Sequence, residues 1–482
     1  MKRQMRNVSV VIFMMFLSLF ISSTTIQVIS ADSLAQDPHN VRSAYDGYKV
    51  QRGAILVSGK PIAESVKSDD VYRYLRSYNG AMYSAATGFS SVYQGSTGLE
   101  SAMDSYLAGR NSSQFFEQIS AVLSGVPAQG ASVELTIAPK VQKAAWDALG
   151  NMHGAVVAIE PSTGNILAWV SKPGFDANDL SVHDGEQSTA AYNELLKKSG
   201  NPLLRKTDSE LYAPGSVFKI LVAAAAFESG KFDPTSTLSN PAKFQLPATN
   251  TYIQNSGEGR CGGQKTVSIA VALKLSCNIP FAQLGIALGE DAIAAQAEKF
   301  GFGSTVKTPL TSVASLYPTG MDQAQLGLSS FGQFDVRVTP LQIAMISSAV
   351  ANKGLLMKPN LVQTVLSSNL AVLNAPSPSE LGRPISEQTA NALTEMMVGA
   401  VESGVSTNGA IKGVSVAGKT GTAQNGPKQP YTLWFTGFAP AENPKVAVAV
   451  VIADGGGQGQ NGRGNSLAAP VANKVMRAVL GK

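Results

Sequence analysis

The chain has 482 residues, which is too long for one ordinary domain and predicts at least two. Hydrophobic residues make up 44% of the sequence and charged residues 15%, a balance that supplies apolar cores and excludes a disordered protein. The net charge is +5 without clustered Lys/Arg runs, so we expect no nucleic-acid partner. The histidines (His39, His153 and His183) form no HExxH motif, so we expect neither a metal nor a cofactor.

The N-terminus carries a targeting signal. Lys2, Arg3 and Arg6 precede an apolar run, 8–29, that is long enough to cross a bilayer as a helix. Basic flanks stay in the cytoplasm, so we predict a cytoplasmic tail at 1–7, a single-pass anchor at 8–30 and an extracytoplasmic remainder. A signal peptide cleaved near Ala31 is the alternative, but the apolar run is longer than the usual core of such a peptide.

The segment 31–149 mixes strand and helix patterns and predicts a small α/β domain. Strands are expected at 49–56 and 133–137, and helices at 113–123 and 139–149. The Gly/Pro-containing stretch 124–131 predicts a linker.

The segment 150–482 predicts one larger α+β domain. Strands at 154–159 and 166–171 flank a turn and form a hairpin. Thr339 begins a capping signal before the apolar helix 343–350. Strand patterns return at 414–417, 433–438 and 445–452, before a closing helix at 469–480. We therefore expect one antiparallel sheet in which early and late strands meet, with helices between them in sequence.

The pattern Ser-x-x-Lys occurs twice, at Ser216 and Ser304, and chance alone produces it about once or twice in such a chain. Ser304 lies in a predicted loop, which fixes no geometry between its hydroxyl and Lys307. Ser216 instead begins an apolar run that predicts a buried helix, so Lys219 lies one turn away on the same face. Burial would lower the pKa of Lys219 and let its neutral amine accept the serine proton. The alternative is a core helix that Ser216 merely caps.

A second motif, Lys419-Thr420-Gly421, occurs once in the chain and is followed by Thr422. It continues an alternating strand pattern, and a glycine in an edge strand leaves room for a ligand to pair with the backbone. The lysine and the threonine hydroxyls can hold a carboxylate, and Lys419 near Lys219 would lower the pKa of the latter.

A third pattern, Ser276-x-Asn278, is weak because Ser-x-Asn also occurs elsewhere in the chain. Its order between the other two motifs and its place after an apolar helical stretch, 267–275, select it.

The two cysteines, Cys261 and Cys277, lie in the predicted extracytoplasmic part, where a disulfide can persist. A bridge would hold the chain beside Ser276. Two buried thiols are the alternative.

Ser-x-x-Lys, Ser-x-Asn and Lys-Thr-Gly in this order resemble the signature of penicillin-binding proteins and serine β-lactamases. The motif spacings are similar to those of penicillin-binding transpeptidase domains, and Arg52-Gly53 and the Gly95–Glu100 stretch resemble the pedestal motifs of class B enzymes, especially actinobacterial ones. The resemblance covers nearly the whole chain. It implies a transmembrane helix, a mixed α/β pedestal at 31–149 and an α+β transpeptidase domain at 150–482, with an antiparallel sheet flanked by helices and an all-helical subdomain.

The resemblance implies two groups of site residues in a peptidoglycan D,D-transpeptidase. The catalytic group, which forms and resolves an acyl-enzyme on the first serine, is Ser216, Lys219 and Ser276. The substrate-binding group, which holds the amide and terminal carboxylate of a stem peptide, is Asn278, Lys419, Thr420, Gly421 and Thr422. The backbone N–H groups of Ser216 and Thr422 would form the oxyanion hole.

The same resemblance implies the partners: peptidoglycan stem peptides, β-lactam antibiotics, the cytoplasmic membrane, a glycan polymerase and division-complex proteins. A β-lactamase is an alternative, although no Glu-x-x-Leu-Asn follows Ser216 to activate a deacylating water. A D,D-carboxypeptidase and a non-catalytic β-lactam-binding scaffold or sensor are further alternatives.

Overall fold

The computed structural model describes residues 2–30, 34, 50–114, 119, 123–124, 129–257 and 259–482. The chain begins with helix α1, Lys2–Thr24, which continues as a π-helical turn, Thr25–Ile29. This helix is long and apolar enough to cross a membrane, and its apolar window packs against nothing else in the described protein. The predicted N-terminal apolar helix is therefore confirmed.

The described residues between 50 and 149 form short strands and helices. The strands are β1 Ile55–Val57, β2 Lys60–Lys67, β3 Tyr74–Tyr78, β4 Ser90–Ser91, β5 Gly95–Ser96 and β6 Ser132–Leu135. The helices are α2 Ser84–Thr87, α3 Gly98–Ala102, α4 Asp104–Leu107 and α5 Pro139–Leu149.

Residues 150–482 alternate between strands and helices. The strands are β7 Gly154–Ile159, β8 Ile166–Lys172, β9 Thr237–Ser239, β10 Lys243–Gln245, β11 Tyr252–Gln254, β12 Thr266–Ser268, β13 Leu356–Met357, β14 Val362–Leu366, β15 Val372–Asn374, β16 Glu380–Gly382, β17 Ala417–Ala423, β18 Thr432–Ala439 and β19 Val446–Ile452. The helices are α6 Asn178–Ser181, α7 Gly185–Lys197, α8 Lys219–Glu228, α9 Ile269–Lys274, α10 Asn278–Leu288, α11 Glu290–Lys299, α12 Gln323–Ser329, α13 Pro340–Ala351, α14 Glu387–Ser403 and α15 Gly464–Leu480.

One antiparallel sheet organises this half, in the order β17-β18-β19-β7-β8. The late strand β19 pairs with the early strand β7, with Ala449 opposite Val157, which confirms that early and late strands meet. Alternate residues of β19 enter two different cores, because successive side chains of a strand point to opposite faces. Helices α5 and α15 cover one face and α13 covers the other. Strand β17 lies at one edge of the sheet and pairs with β18 alone.

A second sheet joins the two predicted domains, in the order β15-β14-β6-β1-β2-β3. Strand β14, from the predicted transpeptidase segment, pairs antiparallel with β6 of the pedestal, with Val365 opposite Val133. Strands β1 and β6 pair in parallel. The sheet therefore connects the pedestal to the catalytic half by backbone hydrogen bonds, whereas a boundary at 149/150 stays a prediction.

The pedestal buries a cluster of opposite charges. Glu100 is 0% exposed, and its two carboxylate oxygens pair with Arg52 at 3.0 Å and with Arg76 at 2.6 Å. Arg52 also pairs with Asp104 at 2.6 Å. Burial of such charges is tolerated because each carboxylate faces a guanidinium.

Several predicted boundaries differ from the structure. The strand expected at 49–56 is reduced to β1, because Gly53 N–H donates to Leu107 O and the Arg52 side chain lies in the charge cluster. The strand expected at 414–417 begins at Ala417, and the closing helix begins earlier than expected, at Gly464. The helix predicted at 113–123 lies mostly outside the described residues, and so does half of the predicted linker 124–131, at 125–128.

Candidate active site

Ser216 lies in a 3₁₀ turn, Gly215–Phe218, immediately before α8, so it precedes the α-helix instead of starting it. The turn packs closely against β17, since a Cβ on Gly215 would lie 2.9 Å from Thr422 O. Gly215 also has a φ of +53°, which favours glycine. Gly215 N–H donates to Gly332 O, which closes the other side. Close backbone approach thus fixes the serine beside the edge strand.

Lys219, the first residue of α8, is 0% exposed. Its Nζ donates to Ser276 O at 2.8 Å and to Asn278 Oδ1 at 2.8 Å. Burial, and secondly the charge of Lys419, lower the pKa of Lys219 well below its ordinary value. The amine therefore loses its proton much more readily than an exposed lysine does.

Lys419, from β17, is also 0% exposed. Its Nζ donates to Ser276 Oγ at 2.8 Å and to Thr420 O at 2.8 Å, and burial lowers its pKa to about 7. Within the described residues neither buried lysine forms an ion pair with a carboxylate. The Ser276 hydroxyl bridges the two amines, since its Oγ lies 3.4 Å from Lys219 Nζ.

Ser276 lies between α9 and α10, and Asn278 is the first residue of α10. The predicted helical stretch 267–275 divides into β12 and α9, because Ser268 caps α9. Ser276 has a φ of +58°, a left-handed conformation that is unfavourable for a residue with a Cβ. Asn278 begins α10 and donates from Nδ2 to Gln254 O at 3.0 Å. The second motif is thus held by contacts from several elements.

The cysteines join this motif to a neighbouring loop. Cys261 and Cys277 form a disulfide, and Cys277 lies directly between Ser276 and Asn278. The bridge therefore restrains the centre of the motif.

The edge strand β17 supplies the third motif. Thr420 Oγ1 lies 3.2 Å from Ser406 Oγ, and Gly464 N–H donates to Thr422 Oγ1 at 3.4 Å. A Cβ on Gly421 would lie 2.9 Å from Pro214 O, so only glycine fits at that position.

These motifs meet in a cleft of about 810 Å³ lined by Ser216, Ser276, Asn278, Thr420, Gly421 and Thr422. Lys219 and Lys419 lie beneath this lining. The other member of the Ser-x-x-Lys pair, Ser304, is exposed in a loop as predicted.

Several cleft residues have no signal in the sequence. They come from distant turns and loops and belong to no motif; they include Tyr252, Gln254, Asn255, Phe334, Tyr431 and Arg463. No carboxylate lies among the described lining residues, so the only formal charge on the lining is that of Arg463.

Comparisons with known proteins agree with this geometry. The family model of the penicillin binding protein transpeptidase domain matches residues 154–477, and that of the penicillin binding protein A dimerisation domain matches residues 52–133. The chain is 40% identical to proteins named peptidoglycan D,D-transpeptidase PbpA from Mycolicibacterium smegmatis and from Mycobacterium tuberculosis, over 100% of this chain and 99% of each relative. It is similar to the solved structure of penicillin-binding protein A from M. tuberculosis as a ceftriaxone acyl-enzyme complex, with a TM-score of 0.87 and 40% identity over 90% of this chain and 100% of that one.

Proposed function

This chain belongs to the penicillin-binding protein transpeptidase family, and we propose that it is a peptidoglycan D,D-transpeptidase that cross-links stem peptides through an acyl-enzyme on Ser216. The observation that carries the proposal is the pair of buried lysines joined by Ser276, at the floor of a cleft that contains Ser216. The M. tuberculosis relative forms acyl-enzymes with ceftriaxone, imipenem and penicillin G, and we propose that β-lactams acylate this chain in the same way.

The hydrogen bonds of Lys219 suit it to act as the base. A neutral amine has two N–H groups and one lone pair. Both N–H groups are used when Nζ donates to Ser276 O and Asn278 Oδ1. The third contact of Nζ, to Ser276 Oγ, is longer, at 3.4 Å, so the lone pair is left for the hydroxyl proton of Ser216, whose oxygen attacks the carbonyl carbon of the penultimate D-Ala.

The remaining steps follow from the same contacts. The backbone N–H groups of Ser216 and Thr422 stabilise the oxyanion. As the tetrahedral intermediate collapses, the C–N bond breaks and the proton passes from Lys219 through the Ser276 hydroxyl to the departing D-Ala amine. The amine of a neighbouring stem peptide then attacks the ester carbonyl and gives a proton to Lys219. The C–O bond to Ser216 breaks, Lys219 returns the proton to Ser216 Oγ, and the new amide bond is complete.

Substrate binding falls to the edge strand and to Asn278. A stem peptide adds to β17 as an extended strand, and Lys419, Thr420 and Thr422 hold its terminal carboxylate. Gly421 gives the peptide room. The second hydrogen of Asn278 Nδ2, beyond the one given to Gln254 O, is available for a substrate carbonyl.

We propose that α1 is an uncleaved single-pass anchor with its basic N-terminus in the cytoplasm, so that the catalytic half lies outside. In this arrangement 1–7 is the tail, 8–30 the anchor, 31–149 the pedestal and 150–482 the transpeptidase domain. A glycan polymerase and division-complex proteins are the proposed protein partners, for wall synthesis at division.

Labelling with a fluorescent penicillin tests the nucleophile. The wild type and Ser304→Ala, which alters the other Ser-x-x-Lys serine, should label equally, whereas Ser216→Ala should not label. A tryptic peptide containing Ser216 should gain the mass of the opened β-lactam. Equal labelling of Ser216→Ala and the wild type would refute the assignment.

Turnover separates transpeptidation from the alternatives. The purified enzyme should hydrolyse a chromogenic β-lactam only at a trace rate, because none of the described residues that line the cleft is a carboxylate that could activate water. With a thioester analogue of D-Ala-D-Ala and an added amine, the amide product should exceed the hydrolysis product. Rapid β-lactam turnover would favour a β-lactamase, and hydrolysis that is insensitive to the amine would favour a carboxypeptidase.

A further inference from the structure

Asn255, which follows β11, caps helix α10 from outside the helix. It is 5% exposed, and its Oδ1 accepts hydrogen bonds from the backbone N–H groups of Asn278 at 2.9 Å and Ile279 at 3.1 Å. The first N–H groups of a helix have no partner within it. The N-cap residue Cys277 provides no side-chain cap, because its sulfur is in the disulfide. The Asn255 side chain therefore caps the N-terminus of α10 in place of the Cys277 side chain.

A second buried asparagine fixes the orientation of Asn255. Asn255 Nδ2 donates to Asn240 Oδ1 at 3.3 Å and to Gly259 O at 3.2 Å. Asn240, 0% exposed, is itself held because its Nδ2 donates to Cys261 O at 2.7 Å and its Oδ1 accepts from Cys261 N at 3.2 Å. Reversing either amide would place donors against donors, so the Asn255 oxygen must face α10.

The same turn holds both ends of the Asn278 side chain. Asn278 Nδ2 donates to the carbonyl of Gln254, the residue beside Asn255, and Asn278 Oδ1 accepts from Lys219 Nζ at 2.8 Å. We infer that Asn255, oriented by Asn240, is a positioning residue: it sets Asn278 so that the Lys219 amine gives its N–H to Asn278 and keeps its lone pair for Ser216. This inference rests on the proposed function.

The surroundings of Lys219 leave the amine few other acceptors. The rings of Phe281 and Phe331 lie 5.5 Å and 6.0 Å from its Nζ, and Lys419 is the only charged neighbour among the described residues. If the first turn of α10 shifts, Asn278 Oδ1 no longer accepts the N–H of Lys219. The Lys219 amine can then rotate so that an N–H, instead of the lone pair, faces Ser216. Acylation then slows although the carboxylate site on β17 is untouched.

The test is stopped-flow acylation by a fluorescent penicillin. It separates K, the dissociation constant of the non-covalent complex, from k2, the rate constant of acylation. Asn255→Ala should lower k2 by about a hundredfold, the typical effect of a small misplacement of reacting groups, and should leave K nearly unchanged. Asn255→Asp keeps an oxygen acceptor for both N–H groups. Burial favours its protonated form, whose O–H can donate to Asn240 Oδ1 in place of Nδ2, so k2 should fall by no more than about tenfold. Asn250→Ala, in the exposed turn between β10 and β11, is the matched control and should match the wild type.

Circular dichroism at the assay temperature should show all variants folded. The inference is overturned if folded Asn255→Ala keeps the wild-type k2, if Asn255→Asp is as slow as Asn255→Ala, or if the loss lies in K alone. Failure of the wild type to acylate at Ser216 would instead refute the proposed function, so the two failures are distinct.

Discussion

The pedestal and the catalytic cleft both bury cationic side chains, but their pKa values shift in opposite directions. In the pedestal, burial alone would lower the pKa of Arg52, yet Glu100 and Asp104 outweigh burial and raise it. In the cleft, Lys219 and Lys419 are both fully buried. Their partners among the described residues are hydroxyl, carbonyl and amide oxygens, and none is a carboxylate. Both lysines therefore have lowered pKa values.

This difference separates a structural from a chemical use of buried charge. Paired opposite charges remain ionised and hold β-strand and helix segments together, since breaking a buried pair is costly. A buried ammonium group without a carboxylate partner loses its proton more easily, which suits Lys219 to act as a base. The following experiments break one arrangement or the other.

Removing the base should have the largest effect. Lys219→Met is expected to lower the acylation rate constant by about 10² to 10⁴-fold, the typical contribution of general base catalysis. The protein should remain folded, because an apolar side chain of similar length suits the buried position. Lys307→Met, the exposed lysine of the other Ser-x-x-Lys pattern, should acylate as the wild type does in the same stopped-flow assay. A Lys219→Met variant within about threefold of the wild type would remove Lys219 from the mechanism.

Breaking the pedestal cluster should cost stability and leave chemistry intact. Glu100→Ala leaves Arg76 buried without a counterion and Arg52 with Asp104 alone, and should lower the free energy of unfolding by about 3–5 kcal/mol in urea titrations. The folded fraction should still acylate at the wild-type rate. Asp147→Ala, which removes an exposed ion pair with Lys143, should cost less than about 1 kcal/mol. Equal losses in the two variants would contradict the structural role of the cluster.

The disulfide should contribute a smaller share of stability. It closes a loop with a sequence separation of 16, and the chain-entropy estimate for such a loop is about 3 kcal/mol. The double variant Cys261→Ser/Cys277→Ser should lose roughly this amount in denaturant titrations. Wild-type protein denatured without reductant should contain no reactive thiol, and two reactive thiols would show that the bridge is absent.

The smallest effect should be a displacement of the pH profile. Acylation needs neutral Lys219, so its rate rises with pH as that amine loses its proton. Lys419→Met removes a positive charge that helps to lower the pKa of Lys219, so this pKa should rise and the acid limb should move to higher pH. The measurement is k2/K as a function of pH. Weaker binding of the substrate carboxylate lowers k2/K at every pH, but it does not move the midpoint of the acid limb. An unmoved limb, or one displaced to lower pH, would show that the two amines do not interact.

Strong local patterns allowed much of the fold to be predicted. Helix α5 and strand β7 have the predicted bounds, and β8, β18 and β19 differ from prediction by a residue or two, because continuous apolar runs identify buried strands. The cap of α13 is also local, since Thr339 Oγ1 accepts from Gln342 N–H. The order of the three motifs predicted part of the cleft lining, including Ser216, Ser276 and Thr422, but not the residues that distant loops contribute.

By itself, then, the sequence determined the nature of the segments and the chemistry available to the site. Only the tertiary structure decided that Ser276, in a left-handed conformation, joins Lys219 to Lys419, that Asn255 caps α10, and that β14 and β15 complete the pedestal sheet. These contacts join residues far apart in the chain, and such contacts leave no periodic pattern. In the sequence a buried lysine cannot be told from an exposed one, nor a capping asparagine from an exposed one. Their pKa values and roles depend on the residues packed around them in the fold.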